Sequence, residues 1–160
     1  MLRQFISSLL ALIFFLAAPS TQACEPCAKD LTFEETVKQA DLIIIGEKIA
    51  EGPGTDTDQS PGGPDWITVK IIQTLKGNSD KNEINVNSWE SMCDYGIVVD
   101  DKPYVMLLSK KTSPHEQYEY DAVNNGCSVK KYLFENGSII MNGQRLPLSD
   151  FIEKVSLIQQ

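Results

Sequence analysis

Residues 39–50 read QADLIIIGEKIA, and the four consecutive apolar residues at the centre, Leu42 to Ile45, decide what the chain builds. Three of the four are β-branched, which costs rotamer freedom in a helix and suits an extended backbone. The run is also short and uninterrupted, as expected of a buried strand. Just upstream, Thr32-Phe33-Glu34-Glu35 has the spacing of a capping box, in which a threonine hydroxyl and a glutamate three residues later satisfy each other's backbone amides. The stretch from there to Ala40 is therefore predicted as one short helix, feeding directly into the strand.

Downstream, residues 51–65 (EGPGTDTDQSPGGPD) are rich in Gly, Pro and Asp and predict a long loop. Trp66 to Leu75 alternates, with Ile67, Val69 and Ile71 on one face and Thr68, Lys70 and Thr74 mainly on the other, and Lys76-Gly77 turns the chain. Glu83 to Trp89 is a third predicted strand, leading into a loop that carries Cys93. Tyr95 to Val99 and Tyr104 to Ser109 flank Asp100-Asp101-Lys102-Pro103 in a strand-turn-strand pattern. Residues 111–126 read as loose and polar. Val129 to Phe134 and Ser138 to Met141 are joined by Asn136-Gly137, a strong hairpin signal. Ser149 or Asp150 is expected to cap a final amphipathic helix that points Phe151, Ile152, Val155 and Ile158 inward. About five main strands with long loops, one helix before them and one after, predict a mainly β fold, a small five-stranded barrel, with a β-sandwich as the alternative. No internal repeat or low-complexity tract interrupts the pattern.

The N-terminus has a different logic. Arg3 precedes an almost unbroken apolar run from Phe5 to Ala18, and Thr21-Gln22-Ala23 offers small residues at a cleavage point. This is the pattern of a secretory signal peptide over residues 1–23, its core being shorter than the roughly 20 residues that span a bilayer. No second long apolar stretch follows, so no stable membrane insertion is expected after cleavage. A secreted or periplasmic domain of residues 24–160 remains, with Cys24 as its first residue and a free α-amino group. Lipidation of Cys24 is disfavoured, because Thr21 stands where that processing takes a larger apolar residue and because it would leave three cysteines unmatched.

Lys and Arg number 14 against 22 Asp and Glu, a net charge of −8. So acidic a surface repels phosphate backbones and argues against nucleic-acid binding. Four cysteines, Cys24, Cys27, Cys93 and Cys127, in an exported chain of this size read as two disulfides, with three pairings open. The short ACEPCAKD stretch, residues 23–30, carries the first two.

Taken together, cysteines at the start of the mature chain, QADLIIIGEKI, WITVKIIQTLKG, SMCDYGIVVDDKPYVMLLSK and the late cysteine in NNGCSVKKY resemble the netrin-like module shared by the tissue inhibitors of metalloproteinases. The likeness covers roughly residues 24–134. It implies an OB-fold barrel with the N-terminal segment stapled onto it, and it implies pairing of Cys24 with Cys93 and of Cys27 with Cys127. It also implies a function without chemistry of its own: binding a protein partner, as a monomer, through the ridge Cys24, Glu25, Pro26, Cys27 and Ala28. In the inhibitors the α-amine and carbonyl of the first cysteine coordinate the zinc of a metalloproteinase, so Cys24 is the residue expected to supply those atoms. The inhibitors have one residue between their first two cysteines, whereas this chain has Glu25 and Pro26.

Other chemistries are weaker fits. The Cys24-Glu25-Pro26-Cys27 spacing matches a thiol-disulfide oxidoreductase, the principal alternative, yet that motif works at a helix N-terminus after a strand and here begins the mature chain. A zinc site from the four cysteines is disfavoured because exported thiols oxidise, and no intrinsic metal or cofactor is expected. His115, the sole histidine, sits in a polar loop beside Pro114. Asp56, Asp58 and Ser60 begin like a calcium loop, but Pro61 occupies the position that needs glycine. Asn136-Gly137-Ser138 forms a glycosylation sequon that the hairpin turn already explains. Trp66, Trp89, Tyr104, Tyr118, Tyr120 and Tyr132 are assigned mainly to the core.

Overall fold

The computed structural model describes residues 31–57, 60–88, 96–111, 117–123 and 129–159. Helix α1, Phe33–Gln39, starts where expected: Thr32 accepts a hydrogen bond from the Glu35 amide at 3.2 Å, and the Thr32 amide donates to the Glu35 carboxylate at 2.8 Å. Ala40 closes it in an extended conformation, and strand β1, Leu42–Glu51, follows immediately. Then come β2, Gly54–Thr57; β3, Ser60–Pro64; β4, Trp66–Lys76; β5, Glu83–Asn87; β6, Pro103–Lys110; β7, Tyr120–Ala122; β8, Lys131–Glu135; β9, Ser138–Met141; β10, Gln144–Pro147; and helix α2, Leu148–Ile158.

Five strands close a barrel in the order β1-β4-β5-β7-β6 and back to β1. Every neighbouring pair is antiparallel except β5 and β7, which are parallel. Numbered along the barrel, that is the 1-2-3-5-4 circuit of an OB fold, with one helix before the strands and one after. Register shifts between β1 and β4 at Ile43/Ile44, Ile45/Gly46 and Lys48/Ala50 bend the longest pair far enough to curl round.

The apolar run at the centre of β1 now has a physical explanation. Leu42 and Ile44 point into the barrel with Ile67, Val69, Ile84, Val86, Met106 and Leu108. Ile43 and Ile45 point outward with Val105 and Leu107, and are covered by α1 and α2 through Val37, Phe151 and Val155. Strands β1 and β6 pair along six residues and are buried on both faces, which is why LIII and VMLL do not alternate. Each fully buried aliphatic side chain contributes about 1.5–3 kcal/mol relative to exposure. The helices are clamped by three rings in edge-on contact, Phe33 to Phe151 at 5.5 Å, Phe33 to Tyr132 at 6.3 Å and Tyr132 to Phe151 at 6.4 Å between centroids.

Four expectations need correction. Residues 54–57 and 60–64 form a two-stranded ribbon, β2 with β3, rather than an open loop. Residues 96–100 are irregular; Ile97 and Val99 are buried because they plug the barrel interior, and not because they lie in a sheet. The polar stretch 111–126 contains β7, the strand that completes the barrel. Helix α2 begins at Leu148 after Pro147 with no side-chain cap, while Ser149 donates to Asp150 at 2.9 Å. The Asn136-Gly137 hairpin is present, with both residues at positive φ (52° and 72°), and Asn142-Gly143 repeats it at the next turn (52° and 76°), producing the unforeseen β10.

Candidate functional site

The ridge named from the sequence, Cys24, Glu25, Pro26, Cys27 and Ala28, together with Cys93 and Cys127, lies outside the described residues, as do His115 and Trp89. The described residues do include the roots of the three cysteine-bearing segments, the residues that adjoin them in the sequence. The first root is the start of α1. Leu31 and Phe33 pack against the outer core beneath the helices. Thr36, fully buried, donates its hydroxyl to the Thr32 carbonyl at 2.8 Å, and Lys76 of β4 donates to the Val37 carbonyl at 2.7 Å. Asp41, just past the helix, donates its amide to Leu108 and accepts the Lys110 amide on its carboxylate, both at 2.8 Å. Helix α1 and the residue that follows it are therefore tied to both β4 and β6.

The second root is the end of β5, where Ser88 leads toward Cys93. The Ile97 amide donates to the Asn87 carbonyl at 2.9 Å, and the buried Ser88 hydroxyl donates to the Ile97 carbonyl at 2.9 Å. The outgoing and returning chains are thus stitched together at the barrel wall. The third root lies along β6. Ala122 pairs with Leu108, and the Val123 amide donates to the Leu107 carbonyl at 2.8 Å; the pairing then jumps to Lys131 opposite Met106. Strands β7 and β8 occupy consecutive positions on one edge of β6, and Cys127 falls between them in the sequence.

The barrel's two outer halves differ sharply. The side formed by β1, β6, β8 and β9 lies under the helices. The side formed by β4, β5 and β7 carries polar groups. The Trp66 indole donates to the Gln117 side chain at 2.7 Å, Thr68 donates to Asn85 at 3.0 Å, and Asn85 donates to the Gln117 carbonyl at 3.1 Å. Asn87, only 4 % exposed, donates to Asp121 at 2.9 Å. Asp121 also lies 3.4 Å from Lys111, which donates to the Tyr118 hydroxyl at 3.0 Å.

Of the aromatic set, Tyr120 is in the barrel interior, Tyr104 packs against it, and Tyr132 lies in the helix-side core. Trp66 and Tyr118 are half-buried on the polar side. Burial lifts the Tyr104 phenol above its ordinary value, helped by the Asp100 carboxylate that its hydroxyl meets at 3.0 Å. Desolvation pulls Asp100 upward in turn, but the Tyr104 and Lys102 bonds outweigh it and hold the carboxyl below the usual range.

Neither the polar array on β5 and β7 nor the stitched root at Ser88 was foreseen from the sequence. Among the described residues no group of three His, Cys, Asp or Glu side chains is arranged to hold a metal ion, and no helix is long and apolar enough to cross a membrane. Comparison with family models, with curated proteins and with solved structures finds no match to this chain.

Proposed function

We propose that this chain is an exported, disulfide-bonded binding module of the netrin-like type, which contacts a protein partner through Cys24, Glu25, Pro26, Cys27 and Ala28. The partner that the likeness to the tissue inhibitors suggests is a zinc metalloproteinase, engaged by the α-amine and carbonyl of Cys24. The observation that carries this proposal is the anchoring of α1. A capping box, a buried threonine, the Phe33-Tyr132-Phe151 ring contact and a lysine from β4 hold the helix whose N-cap, Thr32, lies four residues after the ridge. A recognition segment that leaves from so fixed a root loses less conformational entropy on binding than a free tail. The OB-fold strand circuit, with one helix before its strands and one after, supports this reading.

Intact mass and disulfide mapping of the secreted protein provide the first test. Cleavage after Ala23 with Cys24–Cys93 and Cys27–Cys127 bridges is the expected outcome, and a Cys24–Cys27 bridge would favour the oxidoreductase instead. The second test measures inhibition of zinc metalloproteinases by the mature protein and by a form with one residue added before Cys24. The addition should abolish inhibition, since it moves the α-amine away from Cys24; inhibition that survives it rules out coordination through that amine.

A further inference from the structure

An antiparallel barrel strand is normally held on both sides by a backbone ladder, but the closure between β5 and β7 is different. The two strands are parallel and, among the described residues, pair at a single position, Val86 opposite Tyr120, with a further backbone bond from the Glu119 amide to the Asn85 carbonyl at 3.0 Å. By contrast β1 and β6 pair at six positions and β4 and β5 at five. What the β5–β7 seam lacks in ladder it has in side chains. Asn87 reaches from β5 to Asp121 of β7, Asn85 reaches to the Gln117 carbonyl, and Lys81, ahead of β5, forms an ion pair with Glu119, ahead of β7. Strand β7 is secured on its other edge, where it pairs with β6 at Leu108, Ser109 and Lys110 and is flanked by the Lys111 amide to Glu119 carbonyl bond and the Val123 amide to Leu107 carbonyl bond.

We infer that the β5–β7 seam is a conformational latch, along which the barrel opens locally while β7 stays on β6 and the rest of the fold persists. The unlatched form exposes Ile84, Val86 and Tyr120, which are otherwise inside the barrel. The Asn87–Asp121 bond, buried at its Asn87 end, is the main fastener, because a hydrogen bond to a carboxylate shielded from water contributes more than a solvated contact. The Lys81–Glu119 pair is solvent-exposed and contributes less. Proteins open in cooperative subunits whose free energies fall below that of global unfolding, and thinly laddered edges are where such units separate.

Amide hydrogen exchange read by NMR on the mature chain tests the latch, since two amides report on the two sides of β7. The Glu119 amide crosses the seam, whereas the Val123 amide is bonded to β6. The expected result is exchange at Glu119 at least about tenfold faster than at Val123, after correction for intrinsic rates. Asn87→Ala should accelerate Glu119 by a further factor of about ten while leaving Val123 in step with β1 and β6. Lys81→Ala, which alters only an exposed side chain, should give about a twofold rise confined to Glu119. Equal protection of Glu119 and Val123 in the parent protein overturns the latch, as does an equal acceleration of all amides in either variant. Should Asn87→Ala fail to fold, the Lys81→Ala comparison still decides, because an unchanged Glu119 rate there also counts against it.

Discussion

At the scale of single residues, two glycines with the same backbone sign separate steric cost from conformational cost. Gly77, between β4 and β5, has φ of 78°, and a Cβ there would collide with the Asp41 carbonyl; Gly137, in the β8–β9 turn, has φ of 72° and open space around it. Gly137→Ala should cost only the left-handed penalty, about 1 kcal/mol. Gly77→Ala should cost about 3 kcal/mol or more, because relieving the collision displaces the start of β1, where Asp41 joins helix to strand. Urea midpoints at unchanged m-value measure both, and equal losses would show that the Asp41 contact is unimportant. Tyr132 allows a second test at this scale. Burial raises its phenol above the ordinary value, so the folded pKa exceeds the unfolded one. Its contribution is present in full below the unfolded tyrosine value of about 10 and is lost as pH rises through the folded value. The urea midpoint should therefore fall above about pH 10, and Tyr132→Phe should make that fall shallower; an identical fall in the variant excludes Tyr132 as a contributor.

At the scale of elements, α1 shows how little a short segment stabilises itself. A helix of seven residues is far below the length of about 12–15 at which isolated helices become marginal in water, so its cap and its packing must hold it. Thr32→Ala removes both hydroxyl contacts of the box and should cost about 1 kcal/mol. Amide exchange at Glu35 and Thr36 should rise with no comparable change in β6, and an unaltered rate would mean that the ring contact with Tyr132 and Phe151 suffices alone. This helix was legible from four residues because capping is local chemistry. So were β1, β4, β6 and the Asn136-Gly137 hairpin, where apolar run, alternation and turn type each have a short-range signature. Strand β7 was not. Its three residues include Asp121, and what makes them a strand is a long-range pairing with β6 that no neighbouring residue encodes. Ile97 and Val99 misled in the opposite sense, since burial inside a barrel selects the same residue types as a ladder does. The β2–β3 ribbon was hidden by Gly and Pro, which favour turns in general and are tolerated in isolated edges. For the site, the root at Thr32 could be approached from sequence, whereas the stitching at Ser88 and the polar array linking β5 to β7 depend on which segments the barrel brings together.

At the scale of the whole molecule, the proposed bridges would relate the N-terminal segment to the closure of the barrel. Cys93 follows β5 and Cys127 follows β7, the two strands that meet at the thin seam. Bridges from Cys24 and Cys27 would accordingly attach one N-terminal segment to both sides of that seam. On the proposed pairing, Cys27→Ser with Cys127→Ser removes one bridge cleanly and leaves the other intact. The remaining Cys24–Cys93 bridge closes a loop of about 70 residues, worth about 4 kcal/mol in the chain-entropy model. Adding a reducing dithiol to this double variant should therefore lower its unfolding free energy by an amount of that order, read as a drop in the urea midpoint. Under a Cys24–Cys27 and Cys93–Cys127 pairing the same variant holds no native bridge, and the dithiol should leave the midpoint where it was. An unmoved midpoint would detach the ridge from β5, and with it the account of how the N-terminal segment is held ready for a partner.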